Sequence, residues 1–209
     1  MQTRALILAA GFSSRMGAFK PLLPLPAGSG TCSALELLCR TYAALHVPVV
    51  VVSGFRGDEV DAAARACGAR SARNPQPENG MFSSVRTGLA ALPEDTGAVF
   101  VHPVDIPLVR PLTLRRLLDA ADGTDTVHLP TYDGREGHPP LLPRACVRRV
   151  LAWQGQGGLR DALEGLPRRA VPVADAPAAA PVRVDADKYM DSGDSVSCPL
   201  CREGRKKHG

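Results

Sequence analysis

Leu8-Ala9-Ala10-Gly11-Phe12-Ser13-Ser14-Arg15-Met16-Gly17-Ala18-Phe19-Lys20-Pro21-Leu22-Leu23-Pro24 decides the reading of this chain. The apolar run Ala5 to Ala10 leads into a loop rich in glycine and serine that carries Arg15 and Lys20. Such a run reads as the first strand of an α/β sheet, and open α/β sheets bind ligands at the carboxyl ends of their strands. Gly11 and Gly17 let backbone N–H groups come close to a ligand, and successive N–H groups form a nest for an anion. Arg15 brings a flat fork of donors and Lys20 a point charge, a set that suits a polyphosphate. Two other phosphate loops are excluded. Phe19 and Pro21 around Lys20 break the Gly-Lys-Ser/Thr ending of a P-loop, and Gly11 and Gly17 alone do not make the three close glycines of a dinucleotide fingerprint. On the residues alone, a tight surface turn after a strand accounts for the stretch equally well.

Outward from this loop, apolar strand-like runs and helical stretches alternate, which predicts a mainly parallel sheet with helices on both faces. The strand candidates are Arg4–Ala9, Pro48–Ser53, Ala69–Ala72, Ala98–His102, Thr126–Pro130, Pro140–Leu142 and Val182–Asp185. The helix candidates are Thr31–Leu45, Gly57–Cys67, Phe82–Leu92, Leu112–Ala121, Arg144–Trp153 and Leu159–Leu166. Val49–Val52 is continuously apolar, as a strand covered on both faces should be. Residues 174–181 are rich in Ala and Pro and read as a connector. From Ser192 the chain turns polar and basic. The expected organisation is one domain over 1–191 and a basic, disordered tail over 192–209, dispensable for activity.

The 209 residues suffice for one sizeable α/β core, and 44% hydrophobic with 22% charged residues is ordinary for a globular domain. A net charge of +4 comes partly from Arg202 to His208 and gives little support for a nucleic-acid surface. No apolar run is long enough to span a membrane. The chain opens directly into a strand candidate without a signal-peptide pattern, which predicts a cytoplasmic protein. Of the six cysteines, Cys32, Cys39, Cys67 and Cys146 sit singly in helical-looking segments and read as small buried hydrophobes. Cys198 and Cys201 form an isolated CxxC, open to three readings: a metal knuckle, a redox pair or part of an unstructured tail.

Asp105 is the sharpest single residue. It falls just past the Ala98–His102 strand and before Ile106-Pro107, which puts a carboxylate at the carboxyl edge of the sheet beside the first loop. It reads either as a ligand for a hard divalent cation, which takes one or two carboxylates plus phosphates and waters, or as a turn or cap residue before Pro107. Ser83 and Ser84 open a helix candidate, where unpaired backbone N–H groups can meet a ligand or where a serine simply caps.

Leu8 to Pro24 resembles the signature of the MobA-like nucleotidyltransferases, which include the molybdenum-cofactor guanylyl- and cytidylyltransferases. The resemblance runs on through Asn74-Pro75, Gly80-Met81-Phe82-Ser83-Ser84-Val85-Arg86-Thr87-Gly88-Leu89, Asp105-Ile106-Pro107-Leu108-Val109, Gly137-His138-Pro139 and Gly157-Gly158-Leu159-Arg160, and covers about residues 3–190. The Ala-Ala-Gly, Ser-Ser-Val and Gly-His-Pro elements are more similar to the cytidylyl branch. The resemblance implies a Rossmann-like three-layer α/β sandwich with a mainly parallel mixed sheet. It implies transfer of a nucleotidyl group, CMP from CTP rather than GMP from GTP, onto a phosphorylated acceptor, a molybdopterin cofactor, with Mg²⁺ and release of pyrophosphate. A molybdoenzyme apoprotein is a further implied partner.

Carried over by position, the nucleotide site comprises Leu8, Ala9, Ala10, Gly11, Ser13, Ser14, Arg15, Lys20, Asn74, Gly80 and Ser84, with Arg15, Lys20 and Asp105 catalytic. Asn79 is a further ribose or base neighbour. His138, with Arg135, and Arg160 fall on the acceptor side. The metal aspartate is Asp105, joined by Asp185 or Asp187. Family members often end in Asp-x-Asp-Thr-Pro-Glu-Asp; here Lys188-Tyr189-Met190 replaces Thr-Pro-Glu, which puts that local turn in doubt. A sugar- or alditol-phosphate nucleotidyltransferase of the same fold, and a nucleotide-binding maturation factor without catalysis, are the alternative readings.

Overall fold

The computed structural model describes residues 2–12, 19–27 and 30–174. Along them run β1 (Gln2–Leu8), β2 (Pro24–Ala27), β3 (Gly30–Ser33), α1 (Ala34–Ala43), β4 (Val49–Ser53), α2 (Gly57–Ala66), β5 (Arg70–Arg73), α3 (Met81–Ala90), β6 (Thr96–Pro103) and α4 (Pro111–Ala120). There follow β7 (Val127–Tyr132), β8 (Arg135–Glu136), β9 (Leu141–Pro143), α5 (Arg144–Ala152), α6 (Leu159–Ala162) and β10 (Arg168–Pro172). The main sheet has the order β10-β7-β9-β6-β1-β4-β5, with β8 paired to β7. β5, β4, β1 and β6 are parallel; β9 enters antiparallel between β6 and β7, and β10 is parallel to β7. β2 and β3 make a separate antiparallel hairpin.

Alternation along the strands builds two cores. Ala5, Ile7 and Ala9 of the first strand region join Val51 and Phe100 under α1, α2 and α4, whose Leu35, Leu38, Tyr42, Val60, Leu114 and Leu117 fill that layer. Leu6, Leu8 and Ala10 point the other way, with Val50, Val52 and Val101, against Val85 and Leu89 of α3, Val150 of α5 and Ala162 of α6. Side chains of period 2 facing both layers explain why the central strands are apolar throughout. The result is the expected three-layer sandwich with a mainly parallel mixed sheet.

Local chemistry sets the helix starts. Ser33 Oγ accepts from the Glu36 N–H at 3.1 Å while Glu36 Oε2 accepts from the Ser33 N–H at 2.7 Å, a capping box that opens α1. This corrects the expected helix start at Thr31: Gly30–Ser33 is strand, and Cys32 is buried on β3, not on a helix. α6 also ends at Ala162, short of the expected Leu166, and β2, β8 and β10 were not anticipated. Cys39 and Cys146 are buried and Cys67 half-buried, as small hydrophobes should be. Burial pushes the Cys39 thiol up to about 12 and the Cys146 thiol up to about 11.

The expected strand Val182–Asp185, the connector residues 175–181, the CxxC and the tail over 192–209 lie outside the described residues. No helix among the described residues is long and apolar enough to cross a membrane.

Candidate nucleotide site

β1 and β6 run side by side and finish together, with Leu8 opposite Pro103. From β1 the chain passes on one side to β4 and β5 and returns on the other side to β6, so the crevice beyond Leu8 and Pro103 lies where the strand order reverses, the place where open α/β sheets take ligands. Beyond β1 the backbone stays pinned: Ala9 N–H donates to Val52 O at 2.9 Å, and Ala10 O accepts from the Phe55 N–H at 3.2 Å. Beyond β6, Val104 N–H donates to Leu8 O at 3.1 Å and Ile106 N–H to Pro103 O at 3.2 Å, closing a turn that presents Asp105 beside the first loop.

Lys20, at the start of a 3-10 turn over Lys20–Leu22, places its Nζ 3.8 Å from Asp105 Oδ2. Both side chains are partly open, 31% and 42% exposed. Such a pair contributes little stability of its own, so separating its ends toward an entering ligand costs little.

A cleft of about 680 Å³ opens over these groups, within the range of small-molecule sites. Leu8, Ala10 and Gly11 form its floor, Lys20, Pro21 and Asp105 one wall, and Glu78, Gly80, Met81 and Ser84 the other. α3 begins at Met81 with Gly80 as its N-cap, at φ 87, a conformation that suits glycine. Ser84 therefore lies in the first turn without being the cap.

Asn74 braces this wall. Its Nδ2 donates to Ser83 Oγ at 2.8 Å and Ser84 Oγ at 3.0 Å, and its Oδ1 accepts from the Gln76 N–H at 3.0 Å. Buried at 3% exposure, Asn74 acts through Ser84 and does not line the cleft. Because Ser84 Oγ accepts from Asn74, its own proton is left to donate elsewhere. Asn79 is tied to Gln76 Oε1 at 2.9 Å.

The structure thus brings Leu8, Ala10, Gly11, Lys20, Gly80, Ser84 and Asp105 to one cleft. Ala9 is fully buried beneath it. Ser13, Ser14, Arg15, Asp185 and Asp187 lie outside the described residues.

His138 precedes a cis bond to Pro139, and its buried Nδ1 has no hydrogen-bond partner among the described residues. Burial holds the His138 imidazolium below its usual range, opposed by the negative charge of Asp105. Arg135 is exposed on β8 across from Tyr132. Arg160 is exposed on α6 and does not line the cleft.

Sequence reasoning missed several groups here. Phe12 and Phe19, on either side of residues 13–18, both meet Phe55 after β4, with ring centroids 4.5 and 6.5 Å away. Arg56, paired with Glu59, stacks on Phe19 at 4.6 Å. Glu78 adds a second carboxylate and Met81, 61% exposed, an apolar lip. An aromatic just past the carboxyl end of an apolar strand, as in Ser53-Gly54-Phe55, was the available signal for Phe55. Behind the site, buried His102 on β6 joins Tyr42 of α1 to the turn that carries Asp105.

Among the described residues no group of three His, Cys, Asp or Glu is arranged to hold a metal. Asp105 alone still fits a hard divalent cation, since Mg²⁺ takes as few as one carboxylate and completes its shell with phosphate oxygens and waters.

A cation and a carboxylate side by side in a cleft at the switch point of a mainly parallel sheet mark an α/β protein of the Rossmann-like nucleotide-diphospho-sugar transferase fold. The chain belongs to the MobA-like NTP transferase domain family, whose model matches residues 5–172. It is 28% identical to the molybdenum cofactor cytidylyltransferase of Escherichia coli K12 over 163 residues, 76% of this chain and 79% of that protein. It is 29% identical to the probable molybdenum cofactor guanylyltransferase of Mycobacterium avium over 163 residues, 77% of this chain and 79% of that one. Among solved structures, Rv0371c of Mycobacterium tuberculosis in complex with manganese superposes with a TM-score of 0.68 at 23% identity, covering 83% of this chain and 89% of that one. NTP transfer is the class of chemistry to which the chain belongs.

Proposed function

We propose that this protein moves CMP from CTP onto the phosphate of a molybdopterin-type cofactor and releases pyrophosphate. The observation that carries the reading is the meeting of Lys20 and Asp105, 3.8 Å apart, over the cleft at the ends of β1 and β6. Lys20, with Arg15, grips the triphosphate. Asp105 holds a divalent cation, with Asp185 or Asp187 as the second carboxylate; such a cation, when bound, neutralises charge on the phosphates. The manganese complex of the structurally similar Rv0371c supports a divalent ion in this fold, and Mg²⁺ is the ion proposed here.

An oxygen of the acceptor phosphate attacks the α-phosphorus in line, a new P–O bond forms, the bond to the β-phosphate oxygen breaks, and pyrophosphate leaves with the electron pair. This chemistry needs positioning and charge stabilisation but no protein nucleophile. His138 and Arg160 take the acceptor side. Ser84, braced by Asn74, offers its proton to an acceptor atom of the base, next to Gly80.

The preference for CTP rests on Ala9-Ala10-Gly11, Ser83-Ser84-Val85 and Gly137-His138-Pro139, which resemble the cytidylyl branch. Near-equal identity to a cytidylyl- and a guanylyltransferase, 28% and 29%, keeps GTP as the second reading. Thermal shift decides between them. With Mg²⁺ present, CTP at about 100 times its dissociation constant should add roughly 2.7 kcal/mol of stability, and GTP less. A larger shift with GTP reverses the assignment. Product analysis with a molybdopterin-type phosphate set against sugar and alditol phosphates identifies the acceptor.

A further inference from the structure

The turn that presents Asp105 hangs from a buried histidine. His102 is the residue before Pro103 on β6, fully buried, and its ring faces the α1 layer. Its Nε2 lies 2.9 Å from Ile106 O, the residue after Asp105, and its Nδ1 lies 2.8 Å from Tyr42 Oη. The Tyr42 ring stands edge-on to it at 5.7 Å and packs on Phe100 at 5.6 Å.

The direction of each bond follows from the partners. Burial pushes the imidazolium down to about 4, so the ring is neutral near pH 7, with one nitrogen a donor and the other an acceptor. A carbonyl oxygen only accepts, so Nε2 carries the proton. Nδ1 must then accept, and Tyr42 must donate. Every polar atom of this buried chain is satisfied in one arrangement only.

We propose that Tyr42 and His102 position Asp105 for the reaction: the ring holds Ile106 O, and through it the turn 103–106, in one place and one orientation. Two further bonds close the same turn, Val104 N–H to Leu8 O and Ile106 N–H to Pro103 O. The first ends before Asp105 and the second holds Ile106 by its N–H; the His102 ring adds a side-chain donor to Ile106 O, on the far side of Asp105. Its anchor on α1, 60 residues away in sequence from His102, ties the carboxylate to the rigid layer beneath the sheet. His102 and Tyr42 touch neither nucleotide nor acceptor; they act through Asp105. The proposal rests on the reading of Asp105 as the cation-holding carboxylate.

The test measures pyrophosphate release against Mg²⁺ and CTP, with nucleotide affinity measured separately by calorimetry, for Asp105→Asn, His102→Phe, His102→Gln and Tyr42→Phe. His102→Phe keeps the ring and removes both hydrogen bonds. It is expected to lower kcat about tenfold or more, because small misplacements are costly at this point, and to raise the Mg²⁺ needed for half-maximal rate, while CTP affinity stays near that of the parent. His102→Gln, whose amide can donate to Ile106 O and accept from Tyr42, is expected to recover most of the lost kcat. If His102→Phe fails to fold, Tyr42→Phe decides, with a severalfold fall in kcat at unchanged CTP affinity expected. A folded His102→Phe, or in its place Tyr42→Phe, with parental kcat and Mg²⁺ dependence overturns the proposal. If Asp105→Asn loses turnover in that same experiment, the reading of Asp105 stands and the positioning claim alone falls. If Asp105→Asn itself turns over normally, the reading of Asp105 falls and takes the proposal with it.

Discussion

Lys20 and Asp105 should fail in different ways. In the proposed reaction Lys20 meets phosphates already charged in the ground state, so Lys20→Ala is expected to weaken CTP binding about tenfold to a hundredfold, the worth of a charge-assisted hydrogen bond. In the same proposal Asp105 acts where charge develops on the leaving pyrophosphate, so Asp105→Asn should lower kcat about a hundredfold and leave CTP affinity nearly unchanged. Calorimetry beside a pyrophosphate assay separates the two; equal losses of affinity in both would refute the division of roles. His102 carries a pH signature of its own. Its folded pKa, about 4, lies below the ordinary histidine value, so the charged form is the one the fold rejects. Above pH 6.5 the ring is neutral in both states and contributes no pH dependence. As pH falls from 6.5 to about 4 the unfolded chain takes up a proton that the folded chain refuses, and stability is lost across that window, on the order of 3 kcal/mol in all. His138, also held low, steepens the same fall. Chemical unfolding of the parent and of His102→Gln at pH 7 and pH 5 checks this: the variant should lose less stability than the parent. The sequence could place Lys20, Ser84 and Asp105 at one cleft because each sits in a loop or helix start that follows a strand. Tyr42 and His102 were not legible there, because their bonds arise from tertiary neighbours that no local pattern announces.

α3 and the loop after β1 show what whole elements require. Gly88 lets α3 lie against the sheet: a Cβ there would come 2.3 Å from Leu6 Cδ1 and 2.6 Å from Val52 Cγ2. Gly88→Ala should therefore cost about 1–3 kcal/mol by overpacking and lower Tm by several degrees; an unchanged Tm would show that α3 yields freely. The aromatic cluster joins Phe12 and Phe19 to Phe55. Phe55→Ala removes a partner from both and, at about 0.5–1.5 kcal/mol per aromatic pair, should weaken CTP binding severalfold with little loss of fold stability, since Phe55 is 41% exposed. Calorimetric CTP affinity equal to the parent's would remove Phe55 from the account. The sequence predicted β1, β4, β5, β6, β7 and β9 and all six helices, most firmly where the period is strong, as in the apolar β1, β4 and β6. β2 escaped because Pro24 and Pro26 read as turn residues, and β10 because only Val171 of its five residues is buried, as befits a charged edge strand. The true start of α1 was written in Ser33-x-x-Glu36, a capping box two residues inside the expected helix.

At the scale of the molecule, the alternation of strands and helices foretold three layers, and the layers in turn put the first loop and the Asp105 turn at one crevice. What alternation did not foretell is the reversal at β9, a three-residue strand too short to carry a direction of its own. The parallel strands β4, β1 and β6 lie beneath the cleft. Nucleotidyl transfer at that crevice is the central claim. Purified protein with CTP, Mg²⁺ and a molybdopterin-type phosphate acceptor tests it most directly, with pyrophosphate read continuously and Asp105→Asn run beside the parent. The account predicts pyrophosphate release that depends on the acceptor, stops on chelation of the metal and is nearly abolished in Asp105→Asn. A parent protein that binds CTP yet releases no pyrophosphate with molybdopterin-type, sugar-phosphate or alditol-phosphate acceptors, from either CTP or GTP, would contradict it.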